Sequence, residues 1–163
     1  MENGYTNGNE NIYFACRKAA ASYNERLNSR ETAAELLGIS PSTLANHELG
    51  ITKNVPVDTV VMMSDLYRAP ELKNMYCKNE CPIGKTMPLA TKVTSIEGMT
   101  LRLIKELDFD EINQMKKSLI DIAADGVISE EEKPELQDIM TKLNELSVVI
   151  SEIQLIGEKA LKG

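Results

Sequence analysis

Four short polar side chains lie close together between residues 40 and 46, and hydrogen bonding is the chemistry that they offer. An amide such as that of Asn46 donates and accepts at once, so it can pair with two atoms on the edge of an adenine, and hydroxyl groups can serve several bases. Carried on one helix in a major groove, such side chains reach base edges. The predicted base-reading residues are Ser40, Ser42, Thr43 and Asn46.

Two thiols are spaced C-x3-C in the segment YCKNECPIG, at Cys77 and Cys81. Thiolates bind zinc, which normally takes four ligands, whereas the rest of the chain adds only Cys16 and His47. We expect two free or loosely packed thiols and no metal. A zinc site pooled across a dimer and a redox switch are the alternatives.

The segment DIAADGVISEEE, residues 121–132, has the outline of a calcium-binding loop. It places acids at the first, fifth and twelfth positions and glycine at the sixth, but its third position is Ala123, which supplies no oxygen ligand. We therefore expect a turn between two helices, capped by Asp125, Gly126 and Ser129, with calcium binding as the alternative.

The sequence contains no recognisable catalytic site. Its single histidine, His47, has no serine or cysteine nucleophile motif near it, so we expect it to pack on the helix that carries Asn46. There is no phosphate-binding loop, dinucleotide fingerprint or paired-carboxylate signature. We expect a protein that is not an enzyme and has no cofactor.

The elements that must position these residues are predicted to be helices. Apolar residues at helical spacing indicate a helix that begins at Ile12, and a second helix spans Arg30–Leu37, with Ser29 as N-cap and Gly38 as its left-handed end. Ser40 and Pro41 start a third helix, which runs to about Leu49 and ends at Gly50. Two more helices are predicted, over residues 57–67 and about 70–77. In the second helix we expect Ala33, Ala34, Leu36 and Leu37 at or near the core. The apolar set of the fourth helix is Val57, Val60, Val61, Met63 and Leu66.

Proline and glycine at Pro82, Gly84 and Pro88 indicate a linker over residues 78–94. Beyond the linker, three helices are expected. The first spans residues 95–107, the second begins at its N-cap Asp108 with Glu111 as the capping-box partner, and the third spans about 131–161. The last helix has a heptad stripe that predicts either an internal core or a dimer seam; we favour a helical hairpin whose stripe pairs with a second copy. The stripe consists of Leu136, Ile139, Leu143, Leu146, Ile150 and Ile153.

Composition places limits on this interpretation. The chain of 163 residues is 42% hydrophobic but only 4% aromatic, which favours a helical core of aliphatic residues. Its net charge of −7 does not by itself favour nucleic-acid binding. Three cysteines, a polar N-terminus and the lack of any 18-residue apolar run lead us to expect a cytoplasmic protein with no membrane span.

The segment ETAAELLGISPSTLANHELG resembles the Cro/phage-repressor (XRE-like) class of helix-turn-helix regulators, and the resemblance covers about residues 11–68. It implies a five-helix domain that docks on operator DNA as a dimer. Carried over by position, it places Arg30, Thr32, Lys53 and Asn54 against the DNA backbone. The segment departs from that class at His47, where a larger apolar or aromatic residue is usual, and by having no cation on the reading helix.

We therefore expect an all-α protein: a tail over residues 1–10, a helix-turn-helix domain over 11–77, a linker over 78–94, and a helical domain over 95–163 that joins subunits or binds an effector protein. The predicted function is a dimeric, sequence-specific regulator of transcription that binds double-stranded DNA at a palindrome. The alternative is a protein-binding module on the same scaffold, such as an adaptor, an antitoxin-like factor or a phage inhibitor, which the neutral reading face and acidic C-terminal half would suit.

Overall fold

The computed structural model describes residues 11–162, and the regular structure in this range is entirely helical. The expected all-α class is confirmed, and the predicted tail over residues 1–10 lies outside the described residues. The helices are α1 (Ile12–Ala20), α2 (Arg30–Leu37), α3 (Pro41–Glu48), α4 (Val57–Leu66), α5 (Glu71–Asn79), α6 (Ile96–Glu106), α7 (Phe109–Ile122) and α8 (Lys133–Lys162), with short 3-10 helices at Glu25–Leu27 and Gly84–Thr86.

Helices α1 to α5 surround one apolar core. Ala33 and Ala34 are fully buried, and their small side chains let α2 approach its neighbours closely. The larger side chains that fill this core come from all the surrounding elements, and they include Leu27, Leu44, Val60, Met63 and Leu72.

The turn between α2 and α3 forms as the sequence predicts. The Ser29 hydroxyl accepts the Thr32 amide at the start of α2, and Gly38 ends that helix with a left-handed φ of 64°. Ser40 caps α3 with Pro41 at its first position, and Gly50, with a φ of 69°, follows the end of the helix. These signals act over three or four residues, so they can be identified in the sequence.

Some expected core positions are wrong. The apolar spacing that begins at Ile12 continues to Leu27, but α1 ends at Ala20 and Leu27 reaches the core from a separate 3-10 helix. Leu36 is exposed because another face of α2 covers the core. In α4, Val57 and Val61 of the apolar set are exposed, whereas Val60 and Met63 are buried. Apolar spacing alone did not show which side of these helices packs.

The C-terminal half is a helical hairpin. Helices α6 and α7 follow each other along α8, which is about 45 Å long at 1.5 Å per residue. Lys142 of α8 pairs with Glu106 at 3.1 Å and Glu111 at 2.8 Å, and so joins all three helices. Asp108 caps α7 as predicted, but its capping-box partner is wrong: Glu111 pairs with Lys142 instead of bonding back to the cap.

The predicted linker, residues 78–94, is hydrogen-bonded to α8 at Ala90 and Thr94. The Ser151 hydroxyl accepts the Ala90 amide at 3.1 Å and the Asn74 side chain at 3.2 Å. The Thr94 amide donates to buried Glu152 at 3.1 Å. Helix α5 extends to Asn79, two residues past the boundary expected at 77. Within residues 11–162, no helix is long and apolar enough to cross a membrane.

The predicted heptad stripe on α8 is divided between two environments. Ile139 is buried inside the hairpin, Leu136, Leu146 and Ile153 are half-buried, and Leu143 and Ile150 are exposed. The stripe therefore contributes both to the internal packing and to the outer surface.

Candidate nucleic-acid interface

Helix α3 is anchored on one side and open on the other. Leu44, His47 and Glu48 are buried. Ser42 and Asn46 are exposed, and because they lie four residues apart they occupy the same face. Two of the four predicted base-reading side chains are therefore together on an open, uncharged surface.

The other two predicted base-reading residues are partly occupied by capping. The Ser40 hydroxyl accepts the Thr43 amide at 3.0 Å and lies 2.8 Å from the hydroxyl groups of both Ser42 and Thr43. Thr43 is half-buried. This network fixes the first turn of α3 and includes the Ser42 hydroxyl, so Asn46, which is exposed and takes no part in it, is the best placed of the four for contact with a ligand.

The acidic residue of α3, Glu48, is neutralised within the fold. Its carboxylate receives Arg17 Nε at 2.5 Å, Arg17 Nη2 at 2.9 Å and Arg30 Nε at 2.7 Å. Burial alone would raise the pKa of Glu48, but the hydrogen bonds from Arg17 and Arg30 outweigh it and lower that pKa. Glu48 therefore presents no anion to the surface, and the cluster carries one net positive charge.

Sequence reasoning missed Arg17. Its guanidinium is 2% exposed and also donates to the carbonyl oxygen atoms of Leu27, at 2.7 Å, and Asn28, at 3.1 Å. The hydrogen bond to Glu48 is the main reason that its pKa is raised. Its partner is 31 residues away, and no local pattern marks the pair.

Beside this cluster lies an open, largely basic cleft of about 300 Å³, next to the first turn of α2. The Phe14 ring lies under both guanidinium groups, with its centroid 5.4 Å from the central carbon of Arg17 and 5.9 Å from that of Arg30. Such stacking holds planar cations in a fixed orientation. The cleft is lined by Phe14, Arg17, Lys18, Asn28, Arg30 and Glu31.

The four predicted backbone-contacting residues lie in different settings. Arg30 is 36% exposed and bound to Glu48 through Nε. The Thr32 hydroxyl donates to the Arg26 carbonyl group, so it serves the start of α2. Lys53 and Asn54 are exposed in the loop after α3, where the Asn54 amide, with its nitrogen toward Glu80, reaches that carboxylate at 3.1 Å. Of these four, Arg30 and Lys53 present cations.

His47 is buried, in the packing position expected from the sequence. Its Nδ1 lies 2.9 Å from the Thr52 hydroxyl, while Nε2 is buried with no hydrogen-bond partner among the described residues. Burial lowers the pKa of His47, so the ring is neutral at pH 7. It adds no positive charge to the surface of α3.

The other two candidate sites are the calcium-like loop and the C-x3-C thiols. Asp125 accepts the Val127 amide at 3.0 Å and Glu132 accepts the Ser129 amide at 2.7 Å, so two acids of the calcium-like loop close the expected turn. Cys77 and Cys81 are half-buried free thiols. Among residues 11–162, no three His, Cys, Asp or Glu side chains are grouped to hold a metal ion.

No family model matches the chain, and no curated protein or solved structure is significantly similar to it.

Proposed function

We propose that the protein is a sequence-specific DNA-binding regulator of transcription in which α3 enters the major groove. One observation carries this proposal: α3 is fixed to the core by Leu44, His47 and Glu48, and its open face presents Ser42 and Asn46. A helix that is immobile on one side and lined with short hydrogen-bonding side chains on the other suits the reading of base edges.

The charge distribution supports phosphate contact next to that face. Without its partners, Glu48 would repel DNA, but Arg17 and Arg30 neutralise it and leave one positive charge in excess. Arg30 binds Glu48 through Nε, and a phosphate would pair with its two terminal nitrogens beside the start of α2. Lys53 supplies a second cation on the loop after α3.

These contacts are few for one chain, so the proposed regulator acts as a dimer. Phosphate contacts provide much of the affinity for DNA, and two copies double their number. A twofold pair would place its α3 helices one helical turn apart on a palindrome.

The test is a selection from random duplex DNA, followed by fluorescence anisotropy at low salt. We expect an enriched sequence that binds at least about 100-fold more tightly than bulk DNA. Asn46→Ala should weaken that binding by about 10- to 100-fold, whereas Asn79→Ala, which alters an exposed asparagine at the end of α5, should not change it.

Salt dependence tests the backbone contacts. Lys53→Ala should reduce the slope of log affinity against log salt by about 1 per subunit, and Lys117→Ala on α7 should leave it unchanged. If no selected sequence exceeded the affinity of bulk DNA, the proposal would be wrong.

One observation favours a second candidate function, a protein-binding module on the same scaffold. Leu49 and Ile51 are exposed directly after α3, and apolar side chains at that place suit a protein surface. Affinity capture with and without nuclease separates the two functions. A partner that stays bound after DNA is digested would favour the protein-binding module.

A further inference from the structure

The exposed face of α8 carries a second heptad stripe, which shares Leu136, Leu143 and Ile150 with the predicted stripe and differs from it at the other positions. Its members are spaced alternately four and three residues apart along about 38 Å of helix. Three apolar members are only partly covered, with Met140 48%, Leu143 37% and Ile150 45% exposed, and Leu161 at the end is 90% exposed. We call this set the outer stripe: Leu136, Met140, Leu143, Ser147, Ile150, Gln154, Gly157 and Leu161.

The outer stripe lies away from the packed side of α8. Lys142, which binds α6 and α7, and Glu152, which binds Arg102 of α6, project from other sides of the helix. Helices α6 and α7 therefore cover one side of α8 and leave the outer stripe open. A hairpin two helices thick buries one apolar face of each helix, and a further regular stripe needs a further helix.

The distribution of charged residues on and around the outer stripe indicates which kind of partner would pack against it. Six charged residues occur between Leu136 and Leu161, yet none is at an outer-stripe position. The exposed flanking residues Gln137 and Asn144 are also uncharged. Glu158, which has the same register near the end of the helix, is paired with Lys73 at 3.4 Å. Residues 81–163 hold 15 acidic and 10 basic residues, so two copies of this half would repel each other across most other surfaces.

We infer that the outer stripe is the seam along which a second copy of this chain pairs, α8 against α8, to form a bundle of two hairpins. The seven-residue repeat of one copy matches that of the other, and the uncharged seam brings no like charges together. The inference deepens the proposed function, because it names the surface that would join two DNA-reading units.

Sedimentation velocity of the full chain without DNA, from about 1 to about 200 µM, tests the pairing. We expect a dimer of twice the 18.1 kDa chain mass. Leu143→Glu should weaken dimerisation at least about 10-fold, since it buries a charge in the seam. The matched control is Leu101→Glu on α6, where the leucine is 70% exposed outside the outer stripe, and it should leave the dimer intact.

A gain of affinity guards against a variant that only misfolds. Ser147→Leu should tighten the dimer at least about 10-fold by filling the polar gap in the seam, whereas Thr141→Leu, on another face of α8, should not. Far-UV circular dichroism should show unchanged helicity in each variant.

Three results would contradict the proposed seam. The first is a monomer at every concentration, which would assign the outer stripe to another protein. The others are a dimer that Leu101→Glu dissociates and Leu143→Glu does not, and a dimer that neither substitution affects. The sedimentation experiment contains no DNA. A protein that dimerises but binds no DNA sequence would therefore support the seam and contradict only the proposed function.

Discussion

At the scale of single residues, the buried ion pair of Arg17 with Glu48 is expected to contribute strongly to stability. Both side chains are almost fully buried, so removing one partner leaves an incompletely compensated charge. We expect Arg17→Met to lower the free energy of unfolding by about 3 kcal/mol, measured by urea denaturation.

The control is Arg26→Met, because Arg26 pairs with Glu35 at 2.8 Å on the surface, where the two side chains are 53% and 72% exposed. Its loss should cost no more than about 1 kcal/mol. Equal effects of the two substitutions would contradict the structural role assigned to Arg17.

His47 provides a prediction on pH. Burial lowers its pKa in the folded protein below 6.5, the ordinary value of the unfolded chain. As the pH falls through 6.5, the unfolded state takes up the proton first, so the free energy of unfolding should decrease until the folded pKa is reached. The slope is at most about 1.4 kcal/mol per pH unit.

Since His47 is the only histidine, His47→Asn should remove this component while Asn keeps a group that can bond Thr52. Denaturation of both proteins between pH 7 and pH 5 measures it. Parallel stability curves would show that His47 does not titrate differently in the folded state.

At the scale of elements, a substitution at Gly38 measures the backbone strain at the end of α2. Its φ is 64°, and a Cβ added there would meet nothing within 4 Å, so only backbone strain would oppose a side chain. Gly38→Ala should therefore destabilise by about 1 kcal/mol.

Gly98→Ala on α6 should have the opposite sign, with a gain of about 0.5 kcal/mol, because that glycine is helical and its Cβ would make ordinary contact with the Ser95 hydroxyl at 3.4 Å. Denaturant midpoints of the two variants give the comparison. A stabilising Gly38→Ala would contradict the left-handed end of α2.

The ends of helices could be predicted where the signals are local, but the faces along which the helices pack could not. Ser29, Gly38 and Ser40 fixed the ends of α2 and α3 through bonds to residues at most four positions away. The side of a helix that packs depends on distant neighbours, which is why Leu36 was expected near the core and is exposed. In the candidate site, the exposure of Asn46 followed from helix geometry, whereas the pairing of Glu48 with two arginines did not.

At the scale of the whole molecule, the two halves are held together by polar contacts that no linker signal reveals. Pro82 and Gly84 are typical of a flexible connection, yet Ala90 and Thr94 are hydrogen-bonded to α8, about 60 residues further along the chain. Ser151 of α8 also receives Asn74 of α5, so the same hydroxyl joins α5, the segment after it and α8. Helix α3 is therefore linked to α8 through the core that it shares with α5 and through these polar contacts.

Substitutions in two ion pairs between α5 and the end of α8 test how strongly these two helices are held together. Lys159 Nζ lies 2.6 Å from a carboxylate oxygen of Glu71, which is 4% exposed, whereas Lys73 meets Glu158 at 3.4 Å on the surface. We expect Lys159→Met to destabilise by about 3 kcal/mol because it leaves the Glu71 carboxylate buried without its cation. Lys73→Met should cost no more than about 1 kcal/mol.

Chemical denaturation monitored by far-UV circular dichroism reports both variants. If α8 rests on α5 as described, wild type and Lys73→Met should unfold in one transition, and only Lys159→Met should shift it strongly. If Lys159→Met matched Lys73→Met, α8 would not cover Glu71 in solution. The proposed DNA-reading unit would then be joined to the proposed α8 seam only by the chain between them, and the fold would not set the spacing that the proposal requires between two α3 helices.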